Sequence, residues 1–121
     1  MNWNILETKE EVDQIAISST QNCALIYKHS VRCSLSSLVL DRLTRSWKSE
    51  EMTGVDIYFL DIINHRNVSN YIAEKFDIIH QSPQVLIIRN GDCVYDNSHY
   101  GVNYDELKEF GGCSEDLIVS N

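Results

Sequence analysis

The chain of 121 residues predicts one α/β domain, residues 1–121, with a central four-stranded mixed sheet flanked by helices. Three observations point there. A strand-length apolar run, a helical stripe and a second apolar run follow one another between residues 24 and 60, the order of a βαβ unit with parallel strands. Two further runs are joined by Asn90-Gly91, the dipeptide best suited to a two-residue hairpin between antiparallel strands. A content of 43% hydrophobic and 23% charged residues fits one soluble core, and no repeat, linker or low-complexity stretch divides it.

Taken in order, Thr8 and Glu11 form a T-x-x-E capping box, after which Val12, Ile15 and Ala16 recur at helical spacing up to the polar SSTQN of 18–22. The run Ala24-Leu25-Ile26-Tyr27 reads as a strand that stops at Lys28, where the polar KHSVR segment turns the chain. From Ser34 onward Leu35, Leu38, Val39, Leu43 and Trp47 mark a second helix, with Glu50-Glu51 and Gly54 at its exit. Cys33 therefore stands at or just before a helix N-terminus. Residues 55–60 read as the second strand, and Val68, Ile72 and Phe76 as the stripe of a third helix. The single proline, in His80-Gln81-Ser82-Pro83, precedes a strand over 84–89, and Cys93-Val94-Tyr95 returns after the hairpin. Asn103 and Glu106 cap a last short helix carrying Leu107 and Phe110, ended by Gly111-Gly112.

The charge balance excludes some functions. Ten Lys and Arg against eighteen Asp and Glu leave a net charge of −8, which opposes any sequence-independent grip on nucleic acid or an anionic membrane. The opening MNWNILETKEEVD lacks a basic segment followed by an apolar one, and no apolar run approaches the ~18 residues of a membrane span. The expectation is a cytoplasmic protein. Cysteines at 23, 33, 93 and 113 are too sparse for a secreted disulfide scaffold and lack zinc-site spacing, so reduced thiols and no metal site are expected.

The candidate chemistry centres on Cys33. A cysteine at a helix N-terminus faces unpaired backbone N–H groups and the positive end of the helix dipole, which stabilise a thiolate over a thiol. Arg32 and Lys28 add positive charge nearby. Ser36 occupies the place where a second cysteine would usually resolve a disulfide, and its hydroxyl either bonds the thiolate or faces solvent. His29, at the strand end, and His80, ahead of the proline, flank the site and can contact the thiolate or a ligand.

KHSVRCSLSS, HQSPQVLIIRNG and VYDNSHYG together resemble the YtxJ-like family of monothiol bacilliredoxins, within the thioredoxin-like superfamily. That family commonly has proline directly after the cysteine, where this chain has Ser34. The resemblance implies a thioredoxin-like fold and a thiol-disulfide oxidoreductase whose one catalytic thiol is Cys33. Its partners would be S-thiolated client proteins, with bacillithiol or another low-molecular-weight thiol as co-substrate and no bound cofactor. It also implies a cis Ser82–Pro83 bond against the cysteine, with the Ser82 backbone free to pair with a peptide-like substrate. If so, strand direction puts Cys23 roughly 16 to 20 Å from the site, at ~3.3 Å per residue, far beyond the ~7 Å between Cα atoms that a disulfide allows. Cys93 falls at the same far end. Cys113, after the last helix, stays open as a resolving thiol. A non-catalytic partner-binding module with an oxidisable Cys33 is the rival reading.

Overall fold

The computed structural model describes residues 1–112, and its sheet is built outward from the two most apolar segments. β2 (Cys23–His29) is buried along its whole length, and β4 (Gln84–Arg89) is buried at all but its last residue. They pair antiparallel, with Ala24 opposite Ile88 and Lys28 opposite Gln84. Because successive strand residues point to opposite faces, these two strands feed two cores. Ala24, Ile26, Leu86 and Ile88 pack under α1 (Lys9–Ser18) and α3 (Arg66–Lys75), against Val12, Ile15, Val68 and Ile72. Leu25, Tyr27, Val85 and Ile87 pack under α2 (Ser34–Ser46) and α4 (Tyr104–Gly111), against Val39, Leu43 and Leu107.

β3 (Val55–Asp61) runs parallel to β2, in register from Cys23 with Val55 to His29 with Asp61. β5 (Asp92–Ser98) returns antiparallel to β4. The hairpin between them carries Asn90 at φ 52° and Gly91 at φ 80°, the two left-handed residues that a twist-matched two-residue turn requires. Thr8 Oγ1 accepts the Glu11 N–H at 3.1 Å while the Glu11 carboxylate accepts the Thr8 N–H at 2.9 Å, so the capping box forms as its spacing indicates.

Three expectations need correction. The described sheet has five strands rather than four, in the order β1-β3-β2-β4-β5. The addition, β1 (Asn4–Ile5), is two residues long and outward-facing, so it has no apolar run to betray it. It is tied to β3 by bonds from Asn4 Nδ2 to Ile57 O (3.1 Å) and from Leu6 N to Phe59 O (2.9 Å). The second correction concerns β2, which continues through Lys28 and His29 because both find buried partners. Third, Leu38 of the expected helical stripe is 55% exposed, whereas Ser36 lies buried with Val39 and Leu43. Among the described residues no helix is long and apolar enough to cross a membrane.

Candidate active site

At the end of β2 the chain turns through Ser30, Val31 and Arg32, and the Cys33 N–H donates to Ser30 O at 3.2 Å. Cys33 adopts extended backbone, φ −113° and ψ 111°, as the N-cap of α2, and its carbonyl accepts the Ser36 N–H at 3.0 Å. Its side chain makes no capping bond, and the first turn of α2 carries no acidic residue. The half-buried thiol thus sits at an open helix terminus with no carboxylate in that turn to oppose a negative charge. Arg32 is exposed beside it, with its backbone N–H bonded to Ser30 Oγ at 3.3 Å.

The pairing of Lys28 with Gln84 brings Pro83, one residue earlier, to the sheet end where β2 delivers Cys33. The Ser82–Pro83 peptide bond is cis. His99 N donates to Pro83 O at 3.1 Å, which draws the turn His99–Gly101 to the same end. The Ser82 hydroxyl is buried and has no hydrogen-bond partner among the described residues. Arg32, Cys33, Ser36, His29, Ser82 and Pro83 therefore gather at one end of the sheet.

Ser36 and His29 act there differently from expectation. Ser36 is fully buried; its Oγ accepts the Ser30 N–H at 3.1 Å and lies 2.7 Å from His29 Nδ1, while Tyr27 OH donates to the Ser36 carbonyl at 2.9 Å. The hydroxyl is committed to the strand–helix junction rather than to the thiol. His29 is 7% exposed and lies tilted against the rings of Tyr27 and Phe59. Burial pushes its pKa below the ordinary 6.5, with Asp61 opposing, so it serves as a neutral partner of Ser36 rather than a ligand contact.

Lys28 departs furthest. Strand alternation turns it, with Ala24 and Ile26, toward α3, so it faces away from the helix that Cys33 caps and is no stabiliser of that thiolate. Fully buried, its Nζ donates to Ser69 O at 3.3 Å and to His80 Nδ1 at 3.2 Å. Burial, reinforced by Arg66, lowers its pKa to about 8 against the pull of Asp96 and Cys93. His80 belongs to the same cluster, 3.1 Å from Ser69 Oγ through Nδ1, and is displaced with it from the expected role of touching the ligand.

The remaining described cysteines lie far from the site. Cys23 pairs with Val55 at the opposite end of β2, and its sulfur accepts from Arg89 Nε at 3.0 Å. Cys93, opposite Ile88 beside the hairpin, has its thiol pushed up to about 11 by burial and Asp96. Cys113 lies outside the described residues. Among the described residues no cluster of His, Cys, Asp or Glu could hold a metal ion. Sequence reasoning missed Gln84, fully buried, which bonds Ile79 O through Nε2 at 2.9 Å and accepts the Gln81 N–H at 3.4 Å. A lone amide directly between the only proline and Val85-Leu86-Ile87-Ile88 was its available signal.

The family model described as Monothiol bacilliredoxin BrxC matches residues 4–107. Among solved structures the chain is similar to a thioredoxin-fold protein provisionally described as an oxidoreductase, at 26% identity and TM-score 0.73, over 87% of this chain and 89% of that one. It is also similar to Malassezia sympodialis thioredoxin (11% identity, TM-score 0.67, 89% and 86% covered) and Fasciola hepatica thioredoxin (15%, 0.65, 88% and 93%). These last two likenesses concern the fold alone, which is thioredoxin-like.

Proposed function

Since the chain belongs to the monothiol bacilliredoxin family of thioredoxin-fold thiol oxidoreductases, we propose that it removes bacillithiol, or a similar small thiol, from mixed disulfides on client proteins through Cys33 alone. The observation that carries this reading is the separation of Cys33 from the other cysteines among the described residues. It caps α2 at one end of the sheet, while Cys23 and Cys93 are held at the other.

The Cys33 thiolate attacks the small-thiol sulfur of the mixed disulfide. That disulfide breaks, the client leaves as a thiolate that takes up a proton, and the small thiol stays on Cys33 in a new disulfide. A second small thiol, as its thiolate, then attacks the sulfur of the attached one. This frees Cys33 and yields the small-thiol disulfide, so one disulfide replaces another and the client sulfur is reduced at the expense of the second small thiol, which is oxidised. The open N-terminus of α2 offers backbone N–H donors to the sulfur, both as it attacks and as it leaves in the second step. Exposed Arg32 adds positive charge, and Ser82 and Pro83 offer the edge along which client backbone docks. No bound cofactor enters either step.

Intact mass after presenting the protein with a panel of small-thiol mixed disulfides tests this. The expected product carries one small thiol on Cys33, located by peptide mapping, and Cys33→Ser neither forms it nor releases the client. Full activity in that variant, an adduct on another cysteine, or an internal disulfide that includes Cys113 would overturn the one-thiol reading.

A further inference from the structure

The cluster of Lys28, His80 and Ser69 lies across the sheet from α2, and the two exchange steps make no use of it. It is costly to build, because a buried ammonium needs hydrogen bonds to offset its lost hydration. Lys28 is 0% exposed and receives two such partners, Ser69 O in α3 and His80 Nδ1 in the segment that leads to Pro83. An ammonium can only donate, so Nδ1 accepts and the neutral His80 ring carries its proton on Nε2. Burial, together with the charges of Lys28 and Arg66, keeps His80 below its ordinary 6.5.

The same segment is gripped from a second side. Gln84 is paired with Lys28 across β2 and β4, and its amide holds Ile79 O and the Gln81 N–H. Residues 79, 80 and 81 are therefore each fastened by a buried side chain to the framework. Ser82, the next residue, is where client backbone would dock, and its own hydroxyl has no partner among the described residues.

We propose that Lys28 and His80 are positioning residues, whose hydrogen bond fixes the Ser82–Pro83 edge relative to Cys33 and so sets the affinity for the disulfide-bearing client while leaving the reactivity of the thiol alone. This rests on the thiol-exchange reading above. Lys28 reaches the docking edge from behind the sheet, which is how a charge remote from the sulfur enters the reaction.

The test uses Lys28→Met, His80→Ala and His80→Asn, the last retaining an acceptor oxygen near the place of Nδ1. Three quantities are read: amide hydrogen exchange at Gln81 and Ser82, KM and kcat with an S-bacillithiolated peptide, and the rate of Cys33 alkylation by iodoacetamide. Lys28→Met and His80→Ala should speed loop exchange and raise KM about tenfold, the equivalent of roughly 1.4 kcal/mol. Their kcat and alkylation rates should stay within about twofold of the parent, the pattern of lost uniform binding. His80→Asn should recover most of the loss. Unchanged loop exchange and KM in both Lys28→Met and His80→Ala would overturn the proposal, as would alkylation falling in step with the rise in KM. If the parent protein leaves the peptide untouched, the thiol-exchange reading fails and the docking role with it, while loop exchange still reports separately whether the lock exists.

Discussion

Replacing Ser36 by alanine isolates what one buried hydroxyl holds. Its oxygen is shared by the Ser30 N–H at 3.1 Å and His29 Nδ1 at 2.7 Å, in residues 6% and 7% exposed. Alanine leaves both polar atoms without that partner. An unsatisfied buried group costs about 1–3 kcal/mol, and because two neighbours share a single site the expected loss is near the lower half of their sum, about 3 kcal/mol. At ~2.1 cal/mol/K per residue, a chain of this length has an unfolding entropy of about 0.25 kcal/mol/K near 60 °C, so the melting temperature should fall by about 12 °C. Thermal melts by circular dichroism, with urea titrations to check that the m-value is unchanged, measure it. A fall of less than about 2 °C would show that the hydroxyl does not hold the junction. Slowed Cys33 alkylation without loss of stability would return Ser36 to the thiolate.

Three further outcomes are expected. Burial holds His29 and His80 below 6.5, so as pH falls below that value the unfolded chain binds protons that the folded one refuses. The contribution is fully present above 6.5 and is lost as pH drops through the folded values. Urea midpoints should therefore decline from about pH 7.5 to about pH 5 and decline less in His29→Gln and His80→Gln; a flat parent profile would refute the buried neutral assignment. Ser82→Ala removes a buried hydroxyl without a partner among the described residues and should raise the melting temperature by about 4 °C, from roughly 1 kcal/mol of relieved desolvation, whereas a decrease would reveal a bond that the hydroxyl does make. Asn103 Oδ1 accepts the Glu106 N–H at 3.0 Å as the N-cap of α4. Asn103→Ala should cost about 1 kcal/mol and roughly 4 °C, with Asn103→Asp close to the parent; equal melting of alanine and parent would show that the cap adds nothing.

Where local chemistry decides the structure, the sequence was readable. The capping box of Thr8 and Glu11, the Asn90-Gly91 turn, the start of α2 at Cys33 and the cap at Asn103 each depend on residues within four positions of one another, and each forms. The placement of Cys23 and Cys93 away from Cys33 also followed, because strand direction and length suffice to derive it. What escaped depends on partners distant in the chain. Lys28 and His29 look like the start of a polar turn, yet Ser69, 41 residues on, takes one and Ser36 the other, so the strand runs two residues further. Proximity in the chain to Cys33 for Lys28, and to Pro83 for His80, put both near the thiol, whereas strand alternation and the packing of α3 draw both to the opposite face. β1 was invisible for a related reason, since its two exposed residues are ordered by the edge of β3 rather than by any pattern of their own.

The two cores of this sheet change character along the strands. From residue 24 to 27 both faces of β2 are clad in hydrocarbon, and from Lys28 to Ser30 buried hydrogen bonds join that cladding, to Ser69 and His80 on one face and to Ser36 on the other. A local opening of the turn from Ser30 to Cys33 would break the polar contacts of Ser30 with Ser36 and Cys33 while uncovering little apolar surface, since Val31 is already exposed. Such an event has a small denaturant dependence. The amides around Ser30 would exchange by a route nearly indifferent to urea, long before the hydrocarbon end comes apart, and the end of the molecule that carries Cys33 is also the end that can loosen without the whole unfolding.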